Sequence, residues 1–264
     1  MKKQKPKKVI YFSDEKNDDF AGTIIKAKTV DSSFKLVHKN PVSRFFSILI
    51  YYCIAVPVVW VYVKLIKRVK FVNVKAVKKC KEKYYLYGNH TGIIDAYTPN
   101  LITLPWRNKI IVSPDTVSVK GLKNIVQMLG ALPSPNSLNG MKSFLSAVDY
   151  YHERYNITIY PEAHIWPYYT GVRDFCDSSF AYPVKHNAPV FAFFTAYSEP
   201  KGLFSKFKKA NVTIYISNAF YPDINLSSRE AKNKLRNEVY SFMLEKSKLS
   251  THAVIEYVKN KKVA

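Results

Sequence analysis

A long apolar stretch dominates the pattern of hydrophobic and polar positions along the chain. Residues 45–63 form a run of 19 positions without a charged side chain, and a helix of that length reaches ~28 Å, enough to span a bilayer. Basic residues flank the run, and its tyrosines and Trp60 suit a membrane interface. The pattern predicts a membrane-anchoring helix over residues 45–70, kinked at Pro57. Because both flanks are positive, a full span and a helix held at one leaflet both stay open, beside a buried core helix.

The segments on either side of this run differ in character. Residues 1–44 carry many charges and no sustained hydrophobic period apart from short β-like runs such as Lys8–Phe12, which predicts a basic arm that is at most partly ordered. In residues 71–264, strand-like and helical patterns alternate, which predicts an α/β layer architecture. Ser227 and Glu230 have the capping-box spacing, and the helix that they open is expected to break before a second helical piece near Thr251.

The individual elements follow from hydrophobic periodicity. Strands are predicted at 71–77, 83–87, 109–112, 156–160, 189–197 and 212–216, and helices at 96–104, 119–129 and 141–154.

Composition narrows the class of partner. Lys and Arg number 41 against 19 Asp and Glu, and the formal net charge of +22 favours a polyanion or an anionic membrane surface. The basic residues form no recognisable nucleic-acid module, so we expect membrane phospholipids rather than nucleic acid as partners. Cys53, Cys80 and Cys176 are irregularly spaced, which indicates neither a disulfide framework nor a metal site and favours a reducing compartment.

Candidate chemistry lies directly after two of the predicted strands. His90 and Asp95 follow a strand-like run that ends near Gly88, and Glu162 and His164 follow residues 156–160. Histidine is the side chain best suited to take a proton near neutral pH, and a carboxylate within reach orients its ring. Since ligands bind at the carboxyl ends of strands in α/β sheets, His90, Asp95 and Glu162 are expected to converge on one cleft. The competing interpretation is a set of ordinary solvated turns, with His164 as a structural residue.

Four ordered segments of the chain resemble the glycerolipid acyltransferases typified by lysophosphatidate acyltransferase. Asn89–Asp95 resembles the first block of that family, Asn-His-x4-Asp, and Gly130–Ser134 is similar to the second, a glycine followed by apolar residues. Tyr160–Ala163 resembles the third block, an aromatic-Pro-Glu-Gly turn, and Ala188–Phe193 the fourth, an apolar Val-Pro-Val type strand. The resemblance implies an α/β fold with a central mixed sheet flanked by helices, preceded by a hydrophobic membrane-anchoring helix.

The resemblance also implies an activity, the transfer of a fatty acyl group from acyl-CoA or acyl carrier protein to a hydroxyl of a lysophospholipid-like acceptor. His90 would deprotonate the hydroxyl and Asp95 would orient His90, with no metal and no cofactor besides the acyl thioester. Backbone N–H groups around Gly92 or the Pro161 turn would stabilise the oxyanion. The residues assigned to substrate binding are Asn89, Gly92, Gly130, Pro161, Glu162, His164 and Arg173.

The chain departs from the family pattern where the family carries arginines. The second block runs on as Pro133-Ser-Pro-Asn136, and Ile165 stands where the third block has an arginine suited to the acceptor's phosphate. Two alternatives therefore stay open. One is a glycolipid or other non-phosphate acceptor, and the other is a non-catalytic relative that binds lipid or acyl carrier protein. In each case we expect a membrane-associated protein at the cytoplasmic face.

Overall fold

A seven-stranded mixed sheet forms the centre of the computed structural model, which describes residues 8–22, 25–202, 205 and 208–260. The strands in these ranges are β1 (Lys8–Phe12), β2 (Lys70–Val72), β3 (Tyr85–Gly88), β4 (Asn108–Val112), β5 (Ala131–Pro133), β6 (Asn156–Ile159), β7 (Val190–Ser198), β8 (Asn211–Ile216) and β9 (Ile255–Lys259). The order across the sheet is β2-β8-β7-β3-β6-β4-β5. The five strands from β7 to β5 are parallel, and β8 runs antiparallel to β7. The parallel strands all end at one edge, called here the carboxyl edge, and begin at the opposite amino edge.

Helices cover both faces of the sheet. They are α1 (Pro41–Ile66), α2 (Val74–Lys79), α3 (Thr98–Ile102), α4 (Lys123–Met128), α5 (Gly140–His152), α6 (Ala181–His186) and α7 (Ser228–Ser247), with 3₁₀ turns at Ile93–Ala96, Pro114–Val117 and Ser178–Phe180. One core contains Tyr85 and Tyr87 of β3 together with apolar residues of α5 and α7. The other contains Tyr84 and Leu86 together with residues of α1, α2 and α3. The alternation of side chains along β3 thus supplies both cores.

Helix α7 shows how local sequence sets an element. Ser227 Oγ accepts a hydrogen bond from Glu230 N at 3.3 Å, and the Glu230 carboxylate accepts one from Ser227 N at 3.1 Å. This is the predicted capping box. The stripe that α7 buries against β7 has a spacing of four residues, and it consists of Ala231, Leu235, Val239 and Met243.

Helix α1 is the predicted membrane helix, and it begins and ends four residues earlier than the sequence pattern suggested. Only 17% of its apolar window is buried inside the protein, which contradicts the interpretation as a buried core helix. Pro57 lies in a short α-helical piece between two π-helical stretches, Tyr51–Ala55 and Val61–Ile66. The helix is long and apolar enough to cross a membrane.

Three predicted elements differ from the structure. The strand expected at 71–77 ends at Val72 because Asn73 adopts a left-handed backbone with φ of 64°, after which α2 begins. The helix expected at 119–129 covers only Lys123–Met128. The second helical piece expected near Thr251 is absent from the described residues, where β9 follows instead.

The N-terminal arm is folded against the domain, more fully than its charge content predicts. β1 pairs in parallel with β9 in a separate two-stranded sheet, and Val30 and Leu36 are buried in the core beside α5. Between them the arm crosses the carboxyl edge, where Asn136 accepts from Val30 N at 2.8 Å and donates to Lys28 O at 3.0 Å. The arm therefore borders the region in which the candidate site lies.

Candidate active site

His90 and Asp95 form a contact pair at the carboxyl end of β3. His90 Nδ1 lies 3.0 Å from Asp95 Oδ2, because the 3₁₀ turn that begins at Ile93 brings Asp95 back over the preceding loop. The same carboxylate oxygen accepts from Thr91 N at 2.6 Å and from Gly92 N at 2.9 Å. Asp95 is fully buried, whereas 18% of the His90 side chain is exposed. The loop thus holds a buried carboxylate against a histidine that solvent can reach.

This geometry defines which nitrogen of His90 is available. A neutral imidazole whose Nδ1–H donates to Asp95 carries its lone pair on Nε2. In that tautomer Nε2 can accept a proton, and the buried Asp95 carboxylate lies close enough to stabilise the imidazolium that would result.

Tyr160 fixes the plane of the His90 ring. The two rings stack with centroids 4.5 Å apart and an interplanar angle of 20°, and the Tyr160 hydroxyl donates to the backbone oxygen of Asp95 at 2.5 Å. Burial raises the pKa of Tyr160 well above its ordinary value, so the phenol remains a neutral donor. The sequence pattern did not single out Tyr160 as a site residue, although an aromatic residue preceding Pro161 was part of the third block.

Glu162 links the loops that follow β3 and β6 through its carboxylate. Its carboxylate accepts from His90 N at 3.1 Å, from Arg173 N at 3.1 Å and from Arg173 Nη2 at 3.2 Å. Both side chains of the ion pair are almost completely buried, and burial raises the pKa of Glu162 while the Arg173 charge opposes that rise. The pair positions the His90 backbone, and neither side chain is open to a ligand.

The segment after Glu162 is bonded to the His90 loop through its backbone. Trp166 N donates to His90 O at 3.1 Å and Tyr168 N donates to Thr91 O at 2.8 Å. Ala163 adopts a left-handed φ of 62°, at the position where the related family pattern has glycine. Trp166 is fully buried, and its indole N–H donates to Asp18 O of the arm at 2.8 Å. Trp166 therefore packs the arm against the segment that follows Glu162.

The remaining predicted substrate residues include two that flank His90 and one at the opposite edge of the sheet. Asn89 is fully buried and exchanges two hydrogen bonds with the backbone of Thr195 on β7, so it ties β3 to its neighbour. Gly92 donates its N–H to Asp95 at 2.9 Å, and its prediction as part of an oxyanion site stays a prediction. Gly130 precedes β5 and so lies at the amino edge, where a Cβ would stand 2.7 Å from Asn108 O. The structure does not bring Gly130 to His90.

Two residues lie near the site with side chains partly exposed. His164 Nδ1 is 3.5 Å from Asp19 Oδ2, and about a third of its side chain is exposed. Pro161 begins the turn between β6 and Glu162. Sequence alone gave no signal for the contact between His164 and Asp19, because these two residues are far apart in the chain.

Gly88, at the end of β3, leaves room for the ring of Phe193, which would overlap any Cβ at that position.

No group of three or more His, Cys, Asp or Glu side chains within residues 8–22, 25–202, 205 and 208–260 is placed to hold a metal ion. The expectation that the reaction needs no metal stays a prediction.

The fold has a counterpart among solved structures. No protein-family model matches the sequence, and no curated protein matches it. The crystal structure of the 1-acyl-sn-glycerophosphate (LPA) acyltransferase PlsC from Thermotoga maritima is similar, with a TM-score of 0.55 and 15% identity over 80% of this chain and 88% of that chain. At this identity the likeness shows the fold, and it confirms the predicted α/β class with a central mixed sheet flanked by helices.

Proposed function

We propose that the protein is a membrane-associated O-acyltransferase that moves a fatty acyl group from acyl-CoA or acyl carrier protein to a hydroxyl of a lysophospholipid-like acceptor. The observation that carries the proposal is the contact between His90 and the buried Asp95, 3.0 Å apart at the carboxyl edge of the sheet. Ligands bind at this edge in α/β folds. The similarity of the fold to PlsC supports the same reaction class.

The proposed reaction is a direct attack without a covalent enzyme intermediate. His90 Nε2 takes the proton of the acceptor hydroxyl, and the oxygen attacks the thioester carbonyl. Collapse of the tetrahedral intermediate breaks the carbon–sulfur bond, and the thiolate leaves with the proton that the imidazolium returns. Asp95 stabilises the imidazolium between these two proton transfers, because its carboxylate is buried next to Nδ1.

The chemical class of the acceptor headgroup has a second candidate. Ile165 stands where the related pattern has an arginine, and Arg173 is buried in its pair with Glu162. Ile165 has no guanidinium, and the guanidinium of Arg173 is not open to a phosphate. This observation favours a glycolipid or another acceptor without a phosphate as the second candidate, with the same acyl chemistry at His90.

We further propose that α1 lies in one leaflet at the cytoplasmic face. Contacts with the α/β domain run along most of its length, from Ser47 Oγ at Met128 O to Lys64 over the Phe71 ring. A helix that crossed the bilayer with these contacts intact would carry the domain into the hydrocarbon. Its exposed apolar side chains, which include Phe45 and Phe46, point away from the domain and suit the interface.

The first experiment is a mass-spectrometric scan of the full chain in lipid vesicles. Acyl-CoA and acyl carrier protein donors are offered against a panel of lysophosphatidate, other lysophospholipids, monoacylglycerol and glycolipids. The variant His90→Ala removes the proposed base, and His252→Ala is its matched control. The His252 ring contacts Lys209 O through Nε2, and its hydrogen bond to Tyr197 O uses the backbone, which the variant keeps.

An acylated product that disappears in His90→Ala and persists in His252→Ala supports the enzyme and names its acceptor. A folded wild-type chain that acylates nothing with either donor, yet binds vesicles or acyl carrier protein tightly, would instead identify the non-catalytic relative.

A further inference from the structure

A small cationic cavity lies at the amino edge of the sheet, where α1 begins. Its volume is about 40 Å³, which exceeds the space that one water molecule needs. Helix α1 contributes three of the lining residues, the segments around β4 and α4 contribute four, and α5 with the residues that follow it contributes three. Apart from three tyrosines, the polar and charged side chains are His38, Ser43, Arg44, Ser47, Arg107, Lys109 and Gln127.

The charges in this cavity are all of one sign. Arg44, Arg107 and Lys109 line it, and none of the lining residues in the described part of the chain is acidic. Arg107 Nη2 donates to Ser47 Oγ and to Met128 O, both at 2.8 Å. Its partners are thus neutral oxygens, which satisfy hydrogen bonds without neutralising the charge.

Lys109 is the most costly of these cations to bury. It is 7% exposed, and its ammonium group contacts Gln127 O at 3.3 Å and the ring of Tyr151 at 4.3 Å. Burial and the nearby Arg107 charge lower the pKa of Lys109 to about 7. A buried cation without a counter-ion destabilises the fold, so a ligand that brought negative charge would relieve this cost.

The cavity is separate from the candidate active site. Arg107 and Lys109 lie at the start of β4, whereas Glu162 follows the end of the parallel strand β6. Strand β6 lies between Tyr155, which lines the cavity, and Glu162, and its four residues alone extend over roughly 13 Å. A ligand in the cavity therefore does not reach His90.

We propose that this cavity binds a phosphate-type oxyanion. Arginine and lysine are the side chains that hold such groups in proteins, and Ser47 Oγ and the Arg107 guanidinium already lie in hydrogen-bonding contact. The anion comes either from the headgroup of an anionic phospholipid or from free phosphate. The position beside Phe45 and Phe46, which α1 exposes, makes a headgroup accessible if α1 lies in a leaflet.

The test uses the full chain in a neutral detergent and follows its thermal unfolding midpoint while inorganic phosphate replaces chloride at constant ionic strength. Lys109→Met removes the buried charge and keeps an unbranched side chain. Arg44→Gln removes a charge at the exposed rim, so its folding is not in question, and Arg229→Gln on the exposed face of α7 is its matched control. A second arm compares binding to phosphatidylcholine vesicles with and without phosphatidic acid.

We expect phosphate to raise the midpoint of the wild type and of Arg229→Gln saturably. Arg44→Gln should weaken the apparent affinity about tenfold, the effect of one lost charged contact, and Lys109→Met should abolish the response. A response to phosphatidic acid alone, lost in Lys109→Met, supports a headgroup as the source. No specific response in either arm, or an equal response in the wild type and Lys109→Met, overturns the proposal. Neither result depends on acyl transfer.

Discussion

Replacing Asp95 by Asn tests whether the charge behind His90 drives the proposed reaction. The side-chain carbonyl of an asparagine can still accept the hydrogen bonds from Thr91 N and Gly92 N, so the loop is expected to keep its shape. What disappears is the negative charge 3.0 Å from His90 Nδ1. At an effective dielectric constant of about 20, that separation corresponds to about 5 kcal/mol of stabilisation of the imidazolium.

The imidazolium forms only as the acceptor hydroxyl loses its proton, so the loss should appear in kcat. We expect kcat to fall by roughly 10³- to 10⁴-fold in Asp95→Asn, while KM changes little because Asp95 is fully buried and does not touch substrate. The assay is acyl transfer in vesicles with the donor and acceptor that the product scan identifies, and the thermal unfolding midpoint reports folding.

Asp177→Asn is the matched control, since Asp177 is a surface residue whose carboxylate lies 3.5 Å from Lys232. A folded Asp95→Asn variant that retained more than a third of the wild-type kcat would refute the role given to the carboxylate.

Three further predictions concern stability. Ala163→Gly should raise the free energy of unfolding by about 0.5–1 kcal/mol, since glycine tolerates the left-handed φ of 62° better than alanine; chemical denaturation in detergent measures it. Glu162→Gln should lower that free energy by about 3–5 kcal/mol, because it leaves the buried Arg173 cation unpaired. Adding Arg173→Met should recover a large part of the lost free energy of unfolding. A double variant as unstable as Glu162→Gln alone would contradict the pairing argument. Finally, with a pKa of Lys109 lowered from 10.5 to about 7, the unfolded chain binds more protons than the folded one between these values. Wild-type stability relative to Lys109→Met should therefore rise with pH across that window, by at most about 1.4 kcal/mol per pH unit; thermal unfolding of both proteins in phosphate-free buffers checks the sign.

Much of the sheet was predictable because its strands are apolar and bounded by polar turns. The runs near 156–160 and 189–197 are buried in the structure as β6 and β7, and the run near 212–216 alternates between buried and half-buried positions in β8. This periodicity is local information. The contact between His90 and Asp95 was predictable for a related reason, since a spacing of five residues is bridged by a single 3₁₀ turn. Short sequence separation made both inferences possible.

Features that depend on distant partners were not predictable. β1 and β9 pair with Lys8 opposite Ile255, and no periodicity in either segment predicts that register. Glu162 and Arg173 were both singled out as substrate ligands, yet they form a buried ion pair, because burial depends on the arm and on the segment around Trp166 that covers them. Sequence identified which residues were unusual, and the tertiary structure determined which of them solvent can reach.

The path of α1 connects the two edges of the sheet. It gives the helix a second proposed role besides attachment to a membrane, which is to bring the His90 loop next to the lipid. Near its start, Ser47 meets Met128 at the amino edge, and near its end the Tyr62 ring lies 6.0 Å from Tyr97, two residues after Asp95. Ile93, inside the His90 loop, is 76% exposed. If α1 lies in a leaflet, this exposed isoleucine faces the same apolar layer, because the helix passes beside the loop. Under the proposed function, a lipid hydroxyl would then reach His90 without leaving the membrane surface. An acyl chain would not have to be dissolved in water at any step, which for a fatty chain would cost about 0.8 kcal/mol for each methylene exposed.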